Sequence, residues 1–450
     1  MKKNIIRQML SFQNLSSILS ILFLGLAEDI RYSFLALPAF LLLVLVFLFS
    51  NEVKHIYLFV ALIPFYKLLS VGNIGVGFIL CLLASYRLIS KYGGKFNKGH
   101  GVISMLIILV VLFANELFAT TIGTIINSLS VLLYFGCFSV LFPKQLIRTS
   151  DLTCILLGSL LLVLVMIIYH AGGNFLSVAL SDEISRLGEA NIDNGFRNAL
   201  GGAMGLPIYA ILVISILIGQ ITKNSKYNKY LLALMFVVAI IPFFTISRVY
   251  ILGLSSIFLF FSCYAMTSVK SFIKMTSVIV MMTIVIIVFA MLNTAYVDAI
   301  VDKYIYRSTA SEGGISTGRF DIYIACLKHL LGSPKALLFG EGIRGYLQAG
   351  GSNSLLSMSA HNLYLDAIMS FGLIGCLCLV RLCYIMVSQL KKFSNRFNLS
   401  PFRFLPLFSY MVMVNTGGSF ADFKTYLYII FLLIYAFKYE NLINPSSIQR

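Results

Sequence analysis

Charge is scarce in this sequence, and acid is scarcer than base: only 11% of its 450 residues are Asp, Glu, Lys or Arg, and 17 carboxylates face 34 basic side chains. With 59% apolar residues and a mean hydropathy of +0.93, there is too little polar surface for a soluble protein of this size, so lipid must be the solvent. The chain has no P-loop, no Gly-rich dinucleotide fingerprint and no soluble nucleotide-binding domain, which argues against ATP-driven transport. No CxxC pair or His/Cys cluster has metal-site spacing, because Cys376 and Cys378 are only two apart on an apolar helix; neither metal nor cofactor is expected. Seven of the eight cysteines fall in predicted spans. Only Cys326 falls in an outer loop, where one exposed thiol cannot form an internal disulfide. The alternation of a transmembrane barrel strand is missing too, and unpaired backbone groups are costly in hydrocarbon, which leaves helices.

Stretches of about 20 apolar residues, the length that crosses a hydrocarbon core, recur from Leu15 to Phe437. They predict an all-α polytopic transmembrane helical bundle of about 14 spans (12–14), forming one membrane domain over 1–450. The spans are expected near 13–29, 32–50, 55–70, 72–90, 102–120, 122–142, 152–170, 201–221, 230–247, 249–267, 275–294, 361–383, 404–420 and 422–438. The first follows a basic start (Lys2, Lys3, Arg7) without a small-residue cleavage site and reads as an uncleaved anchor. Cytoplasmic loops retain Lys and Arg, and with both termini inside, that face would hold 22 of the 34 basic residues but three of the 17 acids. The excess is spread over many short loops, so the net charge of +17 does not indicate a nucleic-acid partner.

Two long polar segments, 171–200 and 295–360, both fall on the outer face under this parity, and loops of that length usually carry function. The second is expected to contain short amphipathic helices, because Phe320, Ile324, Leu327 and Leu331 share one face of a run that would lie along the membrane surface. Arginine supplies seven of the twelve outer basic residues but seven of the 22 inner ones. A planar guanidinium matches phosphate oxygens and stays charged, so Arg186, Arg197, Arg307, Arg319 and Arg344 suit a lipid-borne pyrophosphate at the bilayer surface; solvated loop charge is the alternative. Arg248 interrupts apolar sequence at the outer junction of two spans, either as an interfacial anchor or as a ligand-facing charge.

The segment from Ser316 to Gly375 carries the most specific pattern: Gly318-Arg319 before an amphipathic helix, Gly340-Glu341-Gly342, then His361-Asn362 opening the next span, with Leu363 and Gly372 beyond. It resembles the O-antigen polymerase and O-antigen ligase superfamily, closely over about sixty residues and, in span count and outer loops, over the whole chain. The resemblance implies a metal-independent, nucleotide-independent glycosyltransferase at the periplasmic face of the bacterial inner membrane. Its donor and acceptor would be oligosaccharides on undecaprenyl pyrophosphate. Arg319, with Arg248 and either Arg186 or Arg197, would clamp the pyrophosphate as it leaves, with Arg307, Arg344 and Asn362 in support.

His361 would deprotonate the acceptor hydroxyl or bond the pyrophosphate; capping the interface beside Asn362 is its other reading. Glu341 is the alternative base, or simply a turn residue. Asp366 lies about 140° round the helix from His361, which does not favour a dyad. His329 reads as a solvated neighbour and Glu116 as a buried structural partner. A polymerase is favoured over a ligase that passes the glycan to lipid A–core, because a divergent chain with 37 Phe, 24 Tyr and no Trp fits the more variable branch. A flippase would need internal repeats and short loops on both sides. A separate chain-length regulator is an expected partner.

Overall fold

The computed structural model describes residues 12–27, 30–50, 52–68, 70–71, 74–93, 100–117, 122–141, 149–171, 205–221, 228–243, 247–265, 319–343, 362–391, 401–416, 420 and 423–437, with isolated helical positions between 273 and 305. The regular structure among these residues is helical apart from one two-residue ladder, β1 (Ser70–Val71) antiparallel to β2 (Ile74–Gly75), at the expected junction of the third and fourth spans. The helices are α1 (Phe12–Leu26), α2 (Ala36–Phe49), α3 (Glu52–Leu62), α4 (Val76–Tyr92), α5 (His100–Glu116), α6 (Ile122–Leu141) and α7 (Thr149–Ala171). After them come α8 (Gly205–Ile221), α9 (Asn228–Phe243), α10 (Arg248–Ala265), α11 (Arg319–Gly332), α12 (Pro334–Phe339), α13 (Leu363–Lys391), α14 (Leu405–Met413) and α15 (Phe423–Phe437).

Two helical stretches are long and apolar enough to cross a membrane, Tyr32–Phe49 and Leu363–Lys391; the shorter apolar helices among the described residues run 10–17 residues. The expected span at 275–294 and the loop 171–200 lie almost wholly outside the described residues. Helix α8 is apolar all round, and its residues Leu206 to Leu217 are buried, as befits a central helix. Tyr209 carries the polar end it needs there: its hydroxyl meets Ser159 Oγ at 2.7 Å and donates to the Leu156 carbonyl at 3.0 Å. Helix α4 packs along α6, α5 along α13, and α14 between α8 and α10.

Buried Glu52 accepts hydrogen bonds from Lys91 Nζ and Tyr92 Oη, each at 2.6 Å, stapling α3 to α4. Burial alone would raise that carboxyl, but the two donors outweigh it and hold it below the usual range.

Three expectations are corrected. The span expected at 404–420 is helical only to Met413, because Asn415 Nδ2 donates to the Met411 and Val412 carbonyls and Thr416 Oγ1 to Met413, satisfying the orphan groups of the last turn. The span expected at 361–383 runs on to Lys391 and is broken at Gly372, whose φ of 64° is open to glycine but strained for other residues. Cys326, expected to be exposed, is fully buried with Ile322, Leu330, Ala336 and Met369 in a small apolar cluster separate from the main core.

Candidate functional site

That small cluster joins α11 and α12 to the first nine residues of α13. Helix α11 begins at Arg319 and presents Ile322, Cys326 and Leu330 inward at helical spacing. Gly332 ends it, and Ser333 starts α12 by accepting a hydrogen bond from the Ala336 amide at 3.2 Å, with Pro334 in the first turn. Gly340, at φ 74°, stops α12 after six residues.

The turn after α12 forms a backbone latch. The Glu341 amide donates to the Met369 carbonyl at 2.8 Å and the Gly342 amide to Ser370 at 3.0 Å, so the Gly340-Glu341-Gly342 turn satisfies the carbonyls freed by the break at Gly372. A Cβ on Gly340 would meet the Gly372 nitrogen and Ser370 carbonyl at 2.6 Å, so only glycines permit the approach. Helix α5 closes the far side: Asn115 Nδ2 donates to the Phe339 carbonyl at 2.7 Å, and the fully buried Glu116 carboxylate would lie 2.9 Å from a Cβ on Gly342. The acid expected as a buried structural partner therefore underlies the turn.

With its backbone held, Glu341 projects a one-fifth-exposed carboxylate between two basic groups, His329 Nε2 at 3.5 Å and Lys335 Nζ at 3.9 Å. The His329 nitrogen is enclosed and makes no hydrogen bond of good geometry among the described residues. This corrects the reading of His329 as a solvated neighbour. The Gly332-Ser333-Pro334 break brings together two residues twelve apart in sequence.

A second convergence lies at the C-terminal turn of α14. Tyr323, one turn after Arg319, donates from its hydroxyl to the Asn415 carbonyl at 3.1 Å. The Leu363 amide donates to Val414 at 2.9 Å, and the Tyr364 hydroxyl to Met411 at 2.9 Å. One five-residue stretch thus gathers the first turn of α11 and the first turn of α13. Asn362 caps α13: its Oδ1 accepts from the amides of Tyr364 at 3.0 Å and Leu365 at 3.2 Å. Buried Asp366 accepts from the Phe420 amide at 2.8 Å, tying α13 to the approach to α15.

Of the residues expected at the site, Arg319, Glu341 and Asn362 are placed as described. Arg248 opens α10. His361, Arg186, Arg197, Arg307 and Arg344 lie outside the described residues. Among the described residues, no group of three or more His, Cys, Asp or Glu could hold a metal ion.

Helices α11 and α12 and the start of α13, which meet α5 at one convergence and the end of α14 at the other, lie in a stretch of chain that has relatives. Residues 230–380 match the family model described as O-Antigen ligase. The match covers a third of the chain, from α9 and α10 through α11 and α12 into α13, and contains Gly318-Arg319, the Gly340 latch and His361-Asn362. The resemblance read from those residues is thereby supported. O-antigen ligase family members are glycosyltransferase-like membrane enzymes acting on lipid-linked glycans, and the family covers polymerase as well as ligase activity. No curated protein matches the chain.

Sequence reasoning missed Tyr323, Tyr364, Asn115 and the pairing of His329 with Glu341. The Gly-x-Gly around Glu341 and the Ser-Pro after His329 were the signals that could have found that pairing, since one marks a tight turn and the other a helix restart.

Proposed function

We propose that this chain is an O-antigen polymerase, joining oligosaccharide repeat units carried on undecaprenyl pyrophosphate into a surface polysaccharide at the periplasmic face of the inner membrane. The observation that carries the reading is that the first turns of α11 and α13, both in the stretch that matches the family, are gathered on the α14 turn that follows it. It draws the helix that starts at Arg319 toward the helix that starts just after His361. One lipid-borne pyrophosphate could then meet a guanidinium and an imidazole together.

In the proposed step, the acceptor sugar hydroxyl forms a bond to the donor's anomeric carbon. The bond from that carbon to the pyrophosphate oxygen breaks, and the pyrophosphate leaves with the electron pair. Arg319, with Arg248 and the loop arginines Arg186, Arg197, Arg307 and Arg344, stabilises the charge that develops on it. The hydroxyl proton passes to His361, or to Glu341 as the alternative base. No metal or sugar nucleotide enters this scheme, because the lipid pyrophosphate is itself a good leaving group. Fourteen spans, both termini in the cytoplasm and a chain-length regulator as partner complete the proposal.

The ligase is the second reading, favoured by the wording of the matching family model. Deletion of the gene separates the two. A polymerase mutant is expected to carry lipopolysaccharide capped by a single repeat unit, whereas a wholly uncapped core identifies the ligase. His361→Ala and Arg319→Ala are each expected to abolish long chains while leaving the protein in the membrane, and normal chain length in both would defeat the site assignment.

A further inference from the structure

Helix α13 is longer than a bilayer needs. Its 29 residues extend about 44 Å at 1.5 Å per residue, against a hydrocarbon core of about 30 Å. The break at Gly372 divides it unequally, and residues 373–391 alone extend about 28 Å, close to one full crossing. The carbonyls freed at the break are bonded by the Glu341 and Gly342 amides, so the latch marks where a regular span ends.

Helix α11 has two apolar faces. Ile322, Cys326 and Leu330 are buried against Ala336 and Met369. The opposite face is exposed along its whole length: Phe320 is 67% exposed, Ile324 49%, Leu327 51% and Leu331 77%. Those four fall within an arc of roughly 60° on a helical projection. Leu338 and Phe339 of α12 are exposed as well, and Lys328 and Lys335 stand out into solvent beside the stripe. A helix with protein under one apolar face, an open apolar stripe on the other and lysines at its flank has the build of an interfacial helix.

We propose that α11 and α12 lie in the outer leaflet, with Phe320, Ile324, Leu327 and Leu331 among the acyl chains, and that this seats Glu341 at the level of the lipid headgroups. The partner is the bilayer itself. Anionic headgroups complement Lys328 and Lys335, and the latch at the end of residues 373–391 puts the same plane at the turn by an independent measure, helix length. For function, which rests on the glycosyl-transfer reading above, the consequence is depth. The bond to be broken in a lipid-borne glycan lies next to its pyrophosphate, at the headgroups, where Glu341 waits between His329 and Lys335.

The chain contains no tryptophan, so single-tryptophan variants report without background. Phe320→Trp and Leu327→Trp, at exposed positions that tolerate the larger ring, and Val380→Trp, 66% exposed and about 12 Å along the long arm of α13 from its break, would be reconstituted into phosphatidylcholine vesicles with bromine at defined depths along the acyl chain. The expected result is loss of fluorescence for the two α11 variants that is greatest with bromine near the headgroup, and for Val380→Trp greatest with bromine toward the chain end. Absence of quenching on α11, or a depth profile equal to that of Val380→Trp, overturns the proposal. Glycan assembly in the same variants separates the two readings: unquenched tryptophans in a strain that makes long chains sink the anchor alone, and quenched tryptophans support it whether or not chains are made.

Discussion

At the scale of single residues, Cys326 shows burial overriding position. It sits in a segment that reads as an outer polar loop, yet burial, reinforced by the nearby Asp366 carboxylate, pushes its thiol up from an ordinary 9.0 to about 11. Two units leave about a hundredfold less thiolate, the reactive form, at neutral pH. Below that pKa the thiol stays protonated, so maleimide labelling of Cys326 in the folded protein is expected to be at least about a hundredfold slower than in the unfolded chain, and to accelerate only as pH climbs toward the raised value. Peptide-level mass spectrometry reads this directly, and equal rates would show that the small cluster does not enclose the thiol. Glu341 is the reverse case. The two glycines that flank it fix its backbone, so its carboxylate is aimed by the turn and is one-fifth exposed between His329 and Lys335.

At the scale of elements, the latch between the α12–α13 turn and the break in α13 is the feature most sensitive to a single methyl group. Gly372→Ala puts a side chain into a left-handed conformation and against the Leu338 carbonyl, and is expected to cost about 1–3 kcal/mol. Gly158→Ala, in the interior of α7 with nothing within 4 Å of the added carbon, is the control. It is expected to be neutral or to stabilise by up to about 1 kcal/mol through helix propensity. Thermal unfolding in detergent checks both, and equal midpoints for the two variants would show that the latch adds nothing to stability.

At the scale of the whole molecule, the proposed orientation makes a sharp distribution of charge, with basic residues concentrated on one face and the polar segments 171–200 and 295–360 on the other. Reporter fusions are expected to read cytoplasmic after Lys95 and periplasmic at Glu312. A cytoplasmic signal at Glu312 would place Arg319 on the wrong side for a carrier presented outside. The joint between α3 and α4 carries its own constraint in Glu52, whose lowered pKa means that the staple to Lys91 and Tyr92 is intact at neutral pH and is lost as pH falls through that lowered value.

Helices α1 through α10 were legible in composition and periodicity because apolar length is a local property, and each lies close to an expected span. So was the motif set of Gly318-Arg319, Gly340-Glu341-Gly342 and His361-Asn362, because tight turns and helix starts demand particular residue types at particular spacings. Where α13 breaks, where α14 stops, that Cys326 is inside and that His329 meets Glu341 depended on other segments. The carbonyls freed at Gly372 need the amides of a turn thirty residues upstream, and the first turns of α11 and α13 need the end of α14. Hydrogen bonds between such distant parts of the chain leave no period in the sequence, so only the packed structure decides them.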